Sequence, residues 1–255
     1  MASLQYRIFL KSLDIRGHTK KRKTGKACYV SIIPAESSRE SVVAIIPAFN
    51  EAKSVSQVVK AARRYVDETV VVDDRSTDGT SLLAKKAGAK VIANGYARGA
   101  HLATLFGIQA VKSAIVVTLD ADGQHPAEDI PRLLKPIMDG DAGYVTGRRN
   151  RLPPSEKPVR DAVAEIFHKD LDVGSGFRAL RRKFLVEASP EKDLGFCSCG
   201  SLLLFAVSHG ARAAEVPYVY LPRRFGWSKF ARLRKYELHV KQARFLKERY
   251  AELFR

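Results

Sequence analysis

Val116-Val117-Thr118-Leu119-Asp120-Ala121-Asp122-Gly123-Gln124-His125 is the stretch on which the reading of this chain turns. An apolar, β-branched run enters it and reads as a buried strand. The run ends in two carboxylates spaced i and i+2. On a continuing strand they share a face, and on a tight turn they can converge on one ion. Gln124 adds a neutral oxygen two residues further on. Hard divalent cations such as Mg²⁺ and Mn²⁺ take oxygen ligands of this kind, with water and phosphate oxygens completing the shell. Two readings stand at this point. One is a cation and diphosphate site at the carboxyl end of a strand, where open α/β sheets bind ligands. The other is a plain polar turn, since Asp and Gly are ordinary turn residues.

The neighbouring segments decide between them. Upstream, Val42 to Ile46 is a short continuous apolar run, as expected of a buried parallel strand. Pro47-Ala48-Phe49-Asn50-Glu51 follows, then a helical pattern to about Tyr65 with Val55, Val58, Val59 and Ala62 on one side. Thr69 to Val72 predicts a second strand, ending in Asp73-Asp74-Arg75-Ser76. Thr77-Asp78-Gly79-Thr80 opens another helix, with Asp or Thr available as its cap. Ala89 to Ile92 predicts a third strand, and a helix runs from about Gly99 to Val111. Ile115 to Leu119 is the fourth strand and delivers the acidic turn. Pro126, Glu128 and Asp129 suit a helix start, and Gly143 to Thr146 predicts a fifth strand. Strand and helix alternate with short connections. The expectation is an α/β fold with a mostly parallel sheet covered by helices on both faces. The loops PAFNE, DDRSTDGT and DADGQH should then gather on one edge. The Asp residues crowded on that rim repel one another unless a cation or ligand donors compensate them, so a metal and a nucleotide are expected there.

That acidic rim belongs to a protein of formal charge +17. Residues 1–40 carry nine basic and three acidic groups, and residues 229–255 carry the same numbers, so the two ends supply most of the excess. Such ends suit an anionic lipid surface or a nucleic acid, or serve as solvated surface. A nucleic-acid binder would explain the basic ends but not the acidic rim, and no aromatic-rich RNA motif is present. At 255 residues there is room for one good core or two small ones. The cysteines, Cys28, Cys197 and Cys199, are odd in number and give no disulfide framework, which favours a reducing compartment. Cys197-Ser198-Cys199 reads as ordinary packing rather than a soft-metal pair, with no Cys or His cluster near it in sequence. No segment approaches transmembrane length and no signal-peptide apolar region opens the chain. Within residues 1–40, Tyr6 to Leu10 and Cys28 to Ile33 read as strands around an exposed basic loop, Lys20-Lys21-Arg22-Lys23.

The ordered set IIPAFNE, VVDDRSTDGT, GAHLATLFG, TLDADGQHP, TGRR, DVGSGFRALRR and RRFGWSK resembles family 2 glycosyltransferases of the GT-A fold. The nearest pattern is that of dolichyl-phosphate mannose synthases and related polyprenyl-phosphate sugar synthases, over about residues 42–229. The resemblance implies a GT-A catalytic domain over 41–228, between a basic extension (1–40) and a basic amphipathic C-terminal helix (229–255). It implies that Pro47, Ala48, Phe49 and Glu51 hold the nucleotide, and that Val72 and Asp74, with Asp73 beside them, belong to the base-reading loop. Asp120, Ala121, Asp122 and Gln124 match the motif for the divalent cation and donor diphosphate, with Asp120, Asp122 and Gln124 as metal ligands. Arg149 matches an arginine that meets phosphate groups, and Arg223 and Lys229 match cations reaching the diphosphate or the acceptor phosphate. Asp172 matches an aspartate near the sugar and acceptor. Asp122, Asp172 and Arg149 are thus the implied catalytic residues.

The implied activity is inverting, metal-dependent transfer of a hexose to a polyprenyl or dolichyl phosphate, or another lipid-linked acceptor. Mannose from GDP-mannose is the first choice of donor. The alternative is a UDP-sugar donor with a sugar-hydroxyl acceptor and Asp172 as base. Nucleotidyl transfer ranks lower, because PAFNE lacks the Gly-rich basic loop that chemistry usually brings. Three departures stand out: Arg75 where many relatives have glycine, His101 in place of a glycine, and a short span between Arg149 and Asp172. Arg160 is the candidate to replace a cation that the short span lacks. Beyond Lys229, Leu233, Tyr236, Val240, Ala243, Leu246, Tyr250 and Leu253 recur at helical spacing among basic residues. Such a helix either lies in a membrane interface or docks on the core with a solvated outer face. With no apolar span, the expected location is the cytoplasmic face of a membrane, held peripherally.

Overall fold

The computed structural model describes residues 40–96, 99–225 and 232–254. The strands expected in residues 1–39, the basic loop there and Lys229 lie outside the described residues. Among the described residues a seven-stranded sheet runs in the order β3-β2-β1-β4-β6-β5-β7. Its strands are β1 (Val42–Ala48), β2 (Glu68–Asp73), β3 (Lys90–Ala93), β4 (Ile115–Thr118), β5 (Tyr144–Arg149), β6 (Arg178–Arg181) and β7 (Ala213–Tyr218). The helices are α1 (Val55–Ala62), α2 (Thr80–Lys86), α3 (Ala100–Ala110), α4 (Ile130–Met138), α5 (Lys157–Phe167), α6 (Ser201–Ser208) and α7 (Arg232–Tyr250).

β1 shows why this is a two-sided sheet. All seven of its residues are buried, as a strand covered on both faces requires. Val42, Ala44, Ile46 and Ala48 face a core built with Val55 and Val59 of α1, Ala84 of α2 and Ile130 and Leu133 of α4. Val43 and Ile45 face the other core, with Leu105 and Ile108 of α3, Val159 and Val163 of α5, and Leu246 and Tyr250 of α7. α3 lies close on the sheet at Gly107, where a Cβ would stand 2.5 Å from Ile45 Cγ2 and 2.8 Å from Val72 Cγ2.

The α/β fold, the mostly parallel sheet and the C-terminal helix are as expected. The second half of the sheet departs from simple alternation. β6 runs antiparallel between β4 and β5, pairing Thr118 with Arg178 and Thr146 with Arg178 from its two sides. β7 returns to the parallel direction on the outer side of β5.

α7 docks on the core, but not by the whole expected stripe. Leu246 and Tyr250 are buried, whereas Tyr236, Val240 and Leu253 are 52%, 40% and 55% exposed. The stripe is rotated because two polar residues, His239 and Gln242, are buried with their hydrogen bonds satisfied. Gln242 Oε1 accepts from the main-chain N–H of Phe196 (2.7 Å) and Cys197 (3.1 Å). Its Nε2 donates to Leu194 O (3.0 Å) and Ser201 Oγ (2.6 Å). A buried amide with all these partners replaces an apolar contact without leaving an orphaned group. No helix among the described residues is long and apolar enough to cross a membrane.

Candidate active site

β1, β2 and β4 are parallel neighbours, so the loops after them leave the same edge. The first two are stitched together. Asn50 N donates to Ser76 Oγ (2.9 Å), Thr77 N to Asn50 Oδ1 (2.8 Å), and Glu51 N to Thr80 Oγ1 (2.8 Å). Asp73 accepts from Ser76 N, and Asp74 N donates to Ala48 O. Asp74 itself is buried and accepts from Asn94 Nδ2 (2.8 Å) and Gly99 N (2.9 Å). Val72 is fully buried in the sheet. Asp74 therefore ties three loops together, instead of presenting an open carboxylate. Arg75 adopts φ +66°, the left-handed region that a side chain disfavours, which is the physical reason a glycine suits that position.

The acidic turn is closed by its own side chains. Asp120 N donates to His125 Nδ1 (3.0 Å), and Gln124 N donates to Asp122 Oδ1 (3.1 Å). Burial pushes the His125 imidazole down to about 4, so at neutral pH it is an uncharged acceptor for that main-chain N–H. His125 stacks on Phe177, centroids 5.4 Å apart. Gln124 Nε2 donates to Leu221 O (3.0 Å), and Leu221 N returns a bond to Gln124 O (2.9 Å). That latch carries the segment after β7 across the cleft. Arg223 then donates to Asp122 Oδ2 (2.9 Å) and to Glu51 Oε1 (2.5 Å), joining the first and third loops through one guanidinium.

Of the expected residues, Pro47, Phe49 and Glu51 line one cavity with Asp120, Ala121, Asp122, Gln124 and Arg223. Lys235 at the start of α7 and Tyr220 complete it. A second cavity shares Pro47, Asp120 and Lys235 and extends to His101, Arg178, Cys197, Cys199 and His239. The two carboxylates respond to one another. Burial raises the Asp120 carboxyl, opposed by Arg178 and Arg149. Burial and then Asp120 raise Asp122. Two neighbouring carboxylates, one of them raised by the other, with the Gln124 amide beside them, fit a hard divalent cation. Gly176 presses on Asp120, since a Cβ there would stand 2.7 Å from Asp120 Oδ1 and 2.8 Å from Oδ2.

Arg149 and Asp172 come together, but behind this cleft. Asp172 is fully buried and accepts from Arg149 N (2.9 Å), Nε (2.8 Å) and a terminal guanidinium nitrogen (2.6 Å). Glu156, also buried, takes the other side of the same guanidinium. Burial works against the Arg149 charge, but the bonds to Asp172 and Glu156 outweigh it and push its pKa up. Both side chains are almost fully buried, and their polar atoms engage one another and Glu156. Arg160 sits on α5 with its Nε buried and without a hydrogen-bond partner. Sequence reasoning gave no site role to Arg178, Lys235, His101 or Glu156. His101 stood out only as a departure from the resembled pattern, and Arg178 carried a local signal, two residues after Gly176 in a basic run that alternates like a strand.

The family model "Glycosyl transferase family 2" matches residues 43–210, and the chain belongs to that family. Among similar proteins, the undecaprenyl-phosphate 4-deoxy-4-formamido-L-arabinose transferase of Aeromonas hydrophila is 33% identical over 133 residues, covering 46% of this chain and 40% of its own length. The polyprenol monophosphomannose synthase of Mycolicibacterium smegmatis is 29% identical over 184 residues, covering 64% of this chain and 69% of its own length. This chain thus spans less than half of the first relative. In fold it is similar to M. tuberculosis glucosyl-3-phosphoglycerate synthase, with TM-score 0.67, 22% identity, and coverage of 83% of this chain and 81% of that one.

Proposed function

We propose that this enzyme transfers a hexose from a nucleoside-diphosphate sugar to a polyprenyl phosphate. The observation that carries the reading is the single cavity where Glu51, Asp120, Asp122, Gln124, Arg223 and Lys235 meet. Asp120, Asp122 and Gln124 would hold a divalent cation, which when bound supplies charge stabilisation to the departing diphosphate. A structure of the glucosyl-3-phosphoglycerate synthase is described with Mn²⁺ and UDP, which supports a cation of this class on a related fold. Pro47 and Phe49 would flank the nucleotide. Arg223 and Lys235 would bind the diphosphate oxygens, where fixed cations are worth more than in water. Lys229 is proposed as a further phosphate contact.

The second cavity is the proposed acceptor side, with Arg178 and Lys235 as its cations. A phosphate acceptor is already ionised and needs no strong base. The burial of Asp172 against Arg149 favours this over a sugar hydroxyl, which would need that base. Asp172 and Arg149 are then positioning residues that brace the end of β5. The names of the two relatives both carry a polyprenyl-phosphate acceptor, in line with this choice. GDP-mannose stands first as donor, by likeness to the polyprenol monophosphomannose synthase. A UDP-sugar is the second reading, favoured by the UDP-bound structures of the similar fold. With a lipid acceptor the enzyme would work at a membrane surface. A screen of GDP- and UDP-sugars with Mg²⁺ or Mn²⁺ and short polyprenyl phosphates tests the whole. Transfer to the polyprenyl phosphate is expected; faster transfer to a water-soluble sugar hydroxyl would overturn the acceptor.

A further inference from the structure

We infer that Cys197, Cys199 and His239 form a site for one borderline-soft transition-metal ion of the Zn²⁺ class, distinct from the oxygen site at Asp120 and Asp122. The sequence separates the cysteines from the histidine by forty residues, and the fold reunites them: the loop before α6 meets α7. One ligand atom from each lies within 4.8 Å of the other two. Cys199 Sγ is 3.7 Å from His239 Nε2. A tetrahedral ion with Zn–S of about 2.3 Å and Zn–N of about 2.0–2.1 Å needs a sulfur-to-nitrogen separation of about 3.6 Å and a sulfur-to-sulfur separation of about 3.8 Å. The cluster needs only small side-chain shifts to meet both.

The histidine is oriented for the task. Its Nδ1 lies 2.7 Å from Ser155 O. A carbonyl only accepts, so Nδ1 carries a proton, and Nε2 is the ring atom turned to Cys199 and the one a metal would take. A ring fixed by a backbone carbonyl behind it is the usual outer support of a metal-bound histidine. The cysteine loop is fixed to the same helix, because Gln242 accepts from the main-chain N–H of Phe196 and Cys197. Both halves of the ligand set therefore hang from α7, which preorganises them. The thiols are free of disulfide bonds. The cluster forms part of the wall of the cavity that also holds Arg178 and Lys235, so a fourth position can face a water or an anionic oxygen. Two sulfurs and an imidazole select against Mg²⁺, so the two sites would sort ions by softness.

The test uses the full chain, reduced and freed of metal. One equivalent of Co²⁺ is expected to produce sulfur-to-metal charge-transfer absorption, and Zn²⁺ should abolish it by displacement. Cys199→Ser should remove that absorption, His239→Gln should weaken Co²⁺ binding at least about 10-fold, and Asp122→Asn should leave it in place. Alkylation supplies a readout that needs no variant. One equivalent of Zn²⁺ should slow iodoacetamide at Cys197 and Cys199, with Cys28 as the internal reference. Absence of charge transfer in the wild-type chain, or alkylation of all three thiols unchanged by Zn²⁺, would overturn the site and leave the cysteines as packing.

Discussion

Asp122 gives one oxygen to the Gln124 main chain and the other to Arg223, so its carboxylate is oriented before any ligand arrives. Asp122→Ala is expected to lower transfer by about 10²-fold or more, the scale of losing a preorganised charge contact. Its melting temperature should stay close to wild type, because the turn lies at the sheet edge. Mn²⁺ titration of the rate checks it, and full wild-type activity in excess chelator would contradict the metal assignment. Gly176 argues the same point from behind. Its missing side chain leaves room for the Asp120 carboxylate, which would have to shift to admit a methyl. Gly176→Ala should therefore weaken nucleotide binding in the presence of Mn²⁺ by about 10-fold, roughly 1.4 kcal/mol, as read by calorimetry. Equal affinity in that variant would show that Asp120 does not depend on this packing. Arg75 is the opposite case. A side chain sits at a left-handed φ at a cost of about 1–2 kcal/mol, and its guanidinium reaches Tyr96 O (3.2 Å).

At the level of elements, α7 is held by a polar seam as well as by Leu246 and Tyr250. Gln242→Ala would leave the N–H groups of Phe196 and Cys197 without that acceptor. The expected loss is about 2–4 kcal/mol in urea unfolding, at about 1–3 kcal/mol per buried group left unpaired. A loss under about 0.5 kcal/mol would mean water replaces the amide. This seam explains where the sequence was opaque. β1, β2, β4, α1 and α3 were legible because each buries an apolar run between short loops, β3 and α2 followed from the alternation around them, and the acidic turn could be read from one strand and its exit. The rotation of α7 was not legible, since nothing local says that Gln242 and His239 will find main-chain partners inside. Arg178 and Lys235 stayed hidden for a related reason. They reach the cleft from β6 and α7, whose pairing with the first half of the chain is a long-range property. Arg149 stood out in the TGRR motif, but nothing in the sequence showed that Glu156 and Asp172 would clamp it.

At the scale of the whole molecule, the acidic cleft is lined by Arg223 and Lys235, and further cations lie on the outer side of α7. On α7, Lys241 and Arg244 are exposed on the side turned from the core, near the exposed Tyr236 and Val240. A lipid acceptor implies contact with a membrane surface, where each Lys or Arg contributes on the order of 1 kcal/mol against anionic lipid. Binding to anionic vesicles at low salt is expected, falling as salt rises, and the double variant Lys241→Glu, Arg244→Glu should weaken it by about 10-fold or more. Unchanged binding in that variant would place the contact elsewhere. Charge reversal is the right probe because removing α7 would also strip Leu246 and Tyr250 from the core. The strand order carries a consequence for how the chain emerges during synthesis. β1 to β4 occupy contiguous places in the sheet and can pair as they are made, but the far edge of β4 has no neighbour until residues 178–181 arrive. Through that interval Ile115-Val116-Val117-Thr118 is an unpaired, β-branched edge, the kind of segment that invites intermolecular strand addition. The antiparallel strand that brings Arg178 to the cleft is therefore also the cap that ends this vulnerable window, and a nascent chain stalled before it would be the form most prone to aggregate.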